Sequence, residues 1–218
     1  MSSLMQGVIG FAVFIPCIVF HEVAHGYVAF LLGDPTAKSR GRLSLNPLKH
    51  VDPFGTVLLP LLLTATGMPA FGYAKPVPIN PHYFKDYRKG MLLTGLAGPA
   101  TNLTLAIVAG LVSRGLVAAG LFQTTVGYWA TFVLYEFALI NLVLMFFNLI
   151  PIPPLDGSRV LPIFLSDTAL QRYHEFERYG VLIVFGALII LPRVFNIDIL
   201  GTYLDVTVRP IMTLLTGV

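Results

Sequence analysis

Two histidines four positions apart enclose a glutamate in the run His21-Glu22-Val23-Ala24-His25. On an α-helix, residues i and i+4 share a face, so both imidazoles can grip one metal ion. Glu22 follows the first histidine and can reach a water on that metal, where a carboxylate serves as general base. A zinc ion bound there lowers the pKa of its water toward about 7, within range of such a base. The motif is short, and its setting gives it weight. It lies inside an apolar run, where ionisable groups are costly enough to mark functional sites.

Two histidines leave a catalytic zinc one protein ligand short. Glu136, Asp156, His50, Asp52 and His82 are the candidates within or at the edge of apolar segments. Asp156 stands out among them. It follows a long apolar run in Asn148-Leu149-Ile150-Pro151-Ile152-Pro153-Pro154-Leu155-Asp156-Gly157, where three prolines break any helix and can hold a carboxylate in one place. The plainer reading of Asp156-Gly157 is a surface turn.

The elements that must position these groups are apolar helices. Of 218 residues, 56% are hydrophobic and 11% charged, and the mean hydropathy is +0.78. That charged fraction is about half of what a soluble domain carries. Apolar stretches run over 4–32, 91–112, 126–150 and 181–200, the last weakened by Pro192-Arg193, with a short apolar tail over 211–218. Spans of about 20 residues suit a bilayer core. The first stretch lacks the basic start and small-residue cleavage site of a signal peptide. A further run, 54–70, contains Pro60 and ends in Gly67-Met68-Pro69, which predicts a re-entrant or embedded element. The expected fold class is therefore an all-α polytopic membrane protein, a helical bundle folded as one domain over 1–218. The lone cysteine, Cys17, excludes a disulfide framework and a thiolate metal cluster. A pI of 9.1 does not point to nucleic acid, because the basic residues are spread over short loops between apolar runs.

In these motifs the chain resembles the site-2 protease family of intramembrane metalloproteases, in its small prokaryotic branch without PDZ or CBS domain. His21, Glu22 and His25 match the family's zinc helix, and Asn148 to Gly157 matches its second signature. Gly98-Pro99-Ala100-Thr101-Asn102 matches an element between them, and 41–56 a stretch shared by the branch. The resemblance implies one zinc per chain, held by His21, His25 and Asp156, with Glu22 as general base. It also implies that Asn102 or Asn148 offers an amide N–H to the substrate carbonyl or its oxyanion, although interhelical hydrogen bonds would equally explain both. The implied activity is zinc-dependent endopeptidase action on transmembrane or membrane-associated proteins. A zinc hydrolase of a non-protein substrate and a non-catalytic metal-binding membrane protein are the rival readings.

Topology follows from the requirement that His25 and Asp156 meet one metal. The ends of the first and third spans must face the same side, so 54–70 must not cross fully. Segments 33–53, 71–90 and 151–180 then share a side and hold 11 of the 14 Lys and Arg residues, which the positive-inside rule assigns to the cytoplasm. A multi-pass protein of the cell membrane, with its site near the cytoplasmic face, is expected. The stretches 41–47 and 74–81 read as extended segments able to pair with an unwound substrate. His50 and Asp52 read as neighbours of the site, while His82 and His174 read as interfacial.

Overall fold

The computed structural model describes residues 3–65 and 75–217. Three long helices form the frame: α1 (Ser3–Leu31), then Tyr87–Ala118 and Thr125–Asn148 further along. Between the first two, a π-helical turn over Pro53–Leu58 runs directly into α2 (Leu59–Ala65). The long helices become α3 (Tyr87–Ala118) and α4 (Thr125–Asn148), followed by α5 (Asp167–Glu177), α6 (Gly180–Phe195) and α7 (Ile199–Thr216). Within α1, residues Gly7–Leu31 are apolar enough to cross a membrane, as are α3 and α4, and α5 with α6 makes a fourth candidate bent by 62°. The shortest of the three straight spans has 24 residues. At 1.5 Å per residue it is about 36 Å long, enough for a hydrocarbon core of about 30 Å. The fold is thus an all-α polytopic membrane protein.

Helix α1 explains its own orientation. Val13, Cys17, His21, His25 and Ala29 are buried at a strict spacing of four, while Phe11, Phe20, Tyr27 and Leu31 on the other sides are exposed and apolar. One stripe faces protein and the rest suits lipid. The buried positions of α3 are mostly small residues, including Gly95, Ala97, Gly98, Ala106, Ala109 and Gly110, and Gly98 is the one set against the two histidines of α1. Lipid is as apolar as leucine, so such helices associate through close packing of small side chains rather than through the hydrophobic effect. Three of the glycines in this helix pack against other elements of the bundle. A Cβ at Gly98 would stand 2.5 Å from His25 Nε2, one at Gly95 2.9 Å from Arg159 Cβ, and one at Gly110 2.8 Å from Leu215 Cβ, whereas Gly115 faces open space.

The sequence expectations hold for the three long runs and shift at the C-terminal end. The run 181–200 is not one segment. Pro192 has no N–H to give to the carbonyl four residues back, and that position lies in a π-helical stretch, Gly186–Ile190. The helix then ends at Asn196 in the left-handed region, φ 53°, and Asp198 caps the next one by accepting from the Gly201 N–H at 2.8 Å. The expected tail over 211–218 is the second half of that 18-residue helix, α7, which packs Val208, Met212 and Leu215 against Ala106, Ala109, Ala138 and Leu142. Asp205, Arg209 and Pro210 break the apolar run in the sequence and sit on the side away from this core.

In the region 54–70, helix covers 53–65, and 66–70 lie outside the described residues. Asp52 caps it, its Oδ1 accepting from the Phe54 and Gly55 N–H groups at 3.0 and 2.8 Å, while the Asp52 N–H donates to Thr56 Oγ1. The loops at one end of the bundle meet one another. Asp34 accepts from the Asn80 N–H, Arg88 pairs with Asp167 at 2.6 Å, and Tyr87 lies 3.3 Å from His174. Substituting Gly110→Leu is expected to force α7 off α3, destabilising by about 1–3 kcal/mol as an overpacked contact. Thermal unfolding in detergent checks this, with Gly115→Ala expected to be neutral or slightly stabilising.

Candidate metal centre

Three elements supply the converging side chains. His21 and His25 stand one turn apart on the buried stripe of α1, at 4% and 3% exposure. Asp156 arrives from the far end of α4 through the proline-rich turn. The turn is closed by the Leu155 N–H donating to Ile152 O at 3.0 Å and the Ser158 N–H to Leu155 O at 3.0 Å. Gly157 has to be glycine, because a Cβ there would collide with the Leu149 and Ile150 carbonyl oxygens. Asp156 precedes the short helix Gly157–Val160 yet caps none of its N–H groups, so the carboxylate is free to face inward.

The three donor atoms lie close together. His21 Nε2 is 3.0 Å from His25 Nε2, and Asp156 Oδ2 is 3.0 Å from the first and 3.1 Å from the second. A tetrahedral zinc with bonds near 2.0 Å places its donors about 3.3 Å apart. Two imidazole nitrogens and a carboxylate oxygen at this spacing therefore fit zinc, and the set leaves one position for water or substrate. Among the described residues these are the His, Cys, Asp or Glu side chains that converge in this way. Burial by itself would raise the Asp156 carboxyl, and when the neighbouring imidazoles are protonated their charge and hydrogen bonds outweigh it and hold the group well below the ordinary carboxylate range. Arg159 Nη1 adds a weaker contact at 3.6 Å to the other oxygen, Oδ1.

A second layer sets which imidazole nitrogen is available. His25 Nδ1 lies 2.6 Å from the Thr94 carbonyl oxygen, which only accepts, so Nδ1 carries the proton and Nε2 is left to ligate. Asn102 Nδ2 donates to Asn141 Oδ1 at 2.6 Å, which turns Asn102 Oδ1 toward His21 Nδ1 at 2.5 Å. His21 thus takes the same tautomer. Asn141 in turn donates to the Phe137 carbonyl at 2.8 Å and to Cys17 Sγ at 3.1 Å. A buried chain of polar contacts therefore runs from Cys17 through two amides to a donor histidine. Asn141 was not singled out by the sequence. An asparagine in the middle of an apolar helix was the available signal, because a buried amide has to be satisfied somewhere.

The other expected residues fall into place around this cluster. Glu22 neighbours His21 on α1, half-buried, and its Oε2 accepts from the Val77 N–H at 2.8 Å. The Asn102 side chain is fully buried, with its oxygen on His21 Nδ1 and one of its two amide hydrogens on Asn141 Oδ1. The Asn148 amide donates one turn back to the Leu144 carbonyl at 2.9 Å. His50 is buried and bonds the Ser44 carbonyl at 2.7 Å, and Asp52 is the helix cap described above. Glu136 lies midway along α4, half-buried, and His82 is exposed.

Comparison with known proteins agrees with this centre. Residues 9–191 match Peptidase family M50. The chain is 40% identical over 177 residues to the candidate zinc metalloprotease YwhC of Bacillus subtilis, covering 79% of this chain and 75% of that protein. It is 31% identical over 172 residues to the candidate zinc metalloprotease Rip2 of Mycolicibacterium smegmatis, covering 79% of this chain and 63% of that one. A shorter match, 37% over 79 residues, covers 36% of this chain and 21% of the zinc metalloprotease MJ0392 of Methanocaldococcus jannaschii. No solved structure matches at a significant level. Substituting Asn102→Leu, which frees the His21 ring, is expected to weaken zinc binding about 10–100-fold. Asp156→Ala is expected to weaken it further, and zinc retention across a chelator series measures both.

Proposed function

The chain belongs to peptidase family M50 and is a zinc metalloprotease of a multi-pass membrane protein class, and from that premise we propose that it cuts transmembrane or membrane-associated proteins at a site enclosed by its own helices. The observation that supports this reading is the location of the three-donor cluster. It sits between α1, α3 and the turn after α4, on helices whose outward faces are apolar and exposed. This location supports a substrate that approaches from the bilayer or its edge.

His21, His25 and Asp156 hold the zinc in this proposal. When bound, the ion acts as a Lewis acid that acidifies a water and polarises the scissile carbonyl. Glu22 takes the proton of the attacking water at a carboxylate oxygen and delivers it to the departing amine nitrogen as the C–N bond breaks. The Val77 N–H engages one of those oxygens and leaves the other, Oε1, for this exchange. Asn102 serves by holding the tautomer of His21. Asn148 gives one of its two amide hydrogens to Leu144 O and offers the other to the developing oxyanion.

A helical substrate hides its peptide bonds, so it has to unwind locally. Segment 75–80 contains no helix, and its prolines favour an extended backbone suited to receive it, but along the edge away from Glu22 stand Pro76 and Pro78, which lack N–H groups. Pairing there runs through carbonyl acceptors. The basic loops gathered at the site's end of the bundle support a cytoplasmic position for that end under the positive-inside rule.

Glu22→Gln is expected to retain zinc and lose proteolysis of a model single-span substrate by at least about 1000-fold, because it removes the base and keeps the shape. Retained proteolysis would remove Glu22 from the mechanism. For orientation, Ser39→Cys is expected to react with an impermeant maleimide in inverted vesicles and Gln123→Cys in right-side-out cells. The native Cys17 is fully buried and gives little background.

A further inference from the structure

Segment 75–80 is tied down along nearly its whole length, by Glu22 and by residues outside the three metal donors. The Lys75 N–H donates to His50 O at 2.9 Å. Arg42 Nη2 donates to the Lys75 carbonyl at 2.5 Å and stands 3.4 Å from that of Pro76. The Val77 N–H donates to Glu22 Oε2 at 2.8 Å, and the Asn80 N–H to Asp34 Oδ2 at 2.6 Å. Asp34 is completely buried, and its second oxygen accepts from the Thr36 N–H.

Two details show that this approach is specific. Val77 is 5% exposed and lies over Gly26, one turn from Glu22, where a Cβ would stand 2.7 Å from Val77 Cγ1 and 2.8 Å from Leu43 Cδ2. A side chain at position 26 would push on Val77 and Leu43, so the glycine favours the close approach of the segment to the helix. Arg42 is 8% exposed, and among the described residues it pairs with no carboxylate, its Nε having no partner at all. A guanidinium kept out of water without a counter-ion is costly, and here its bonds go to two main-chain carbonyls of one short segment. Prolines at 76, 78 and 81 restrict that backbone further and leave Val77 as the one N–H among residues 76–78.

We propose that segment 75–80 is a strap that aims the Glu22 carboxylate, with Val77 and Arg42 as positioning residues, the first through its N–H and the second through the carbonyls of Lys75 and Pro76. A main-chain donor on one oxygen of a carboxylate sets the direction of the other, and a group aimed in advance needs no reorganisation at proton transfer. The number of anchors and the prolines make this a rigid holder rather than a gate. The inference rests on the reading of Glu22 as the base.

The test uses zinc-loaded protein in detergent and a fluorogenic peptide containing one apolar span. Val77→Pro removes the donor and suits an extended, proline-flanked backbone. It is expected to lower kcat about 10–100-fold with KM within about threefold, since small misplacements of a reacting group cost that much, and with zinc content as in the unaltered protein. Val77→Ala keeps the N–H and is expected to lose less. Arg42→Met should follow Val77→Pro, and Arg42→Lys should recover part of the loss. Independently of turnover, amide hydrogen exchange at Val77 should quicken at least about tenfold in Glu22→Ala that still holds zinc, since that amide loses its acceptor. The strap is overturned by undiminished kcat in Val77→Pro, by a loss carried wholly in KM, by zinc falling in step with activity, or by unchanged exchange in Glu22→Ala. If Glu22→Gln is inactive while Val77→Pro keeps its kcat, the strap alone fails. An active Glu22→Gln removes the base assignment and the strap with it.

Discussion

Three electron-pair donors held within 3.1 Å of one another inside an apolar bundle repel unless a cation sits among them, and much of the remaining structure serves to keep them there. Each imidazole has its outer nitrogen assigned to a fixed acceptor, the Thr94 carbonyl for His25 and the Asn102 amide oxygen for His21. The carboxylate comes from a turn that three prolines and one obligatory glycine prevent from becoming helix. Gly98 and Gly95 remove the side chains that would otherwise separate α3 from the histidines and from the Asp156 turn. Zinc affinity and helix packing are in this sense one problem, since the packing face of α3 is also the wall of the metal centre.

The site's polar residues divide into those whose meaning is local and those whose meaning depends on a distant partner. His21, Glu22 and His25 are legible because their spacing alone puts them on a helix, and Asp156 because a proline-rich break follows a long apolar run. Arg42, Asp34 and Asn141 carry no such signature. Their partners lie 33 to 46 residues away for the first two and 39 for the Asn102–Asn141 pair, and only the folded chain brings them together. Asn102 is visible as a motif residue, yet its task could not be read, since an amide can hold a ligand or a substrate with equal chemistry. Asp52 is the converse case. It reads in the sequence as a neighbour of the metal, and in the fold its carboxylate caps the helix that begins at Pro53.

The helices follow the same division. The long runs of α1, α3 and α4 need only composition to be found, because a bilayer requires about 20 apolar residues in a row. Helix α7 needs periodicity, since Val208, Met212 and Leu215 are apolar at helical spacing while Asp205 and Arg209 interrupt the run. A stretch judged by its mean hydropathy loses such a helix, and one judged by a 3.6-residue period retains it.

The buried thread Cys17–Asn141–Asn102–His21 has a further consequence. It crosses α1, α4 and α3 in turn, and each of its amides is satisfied only when the three helices stand at one relative height. Sliding any helix by a single turn, about 5.4 Å, would strand amide groups in hydrocarbon, each at a cost of several kcal/mol. The thread therefore works like the notches of a vernier. It sets how deeply the metal is immersed in the membrane, and with it the level at which any passing polypeptide must present its bond.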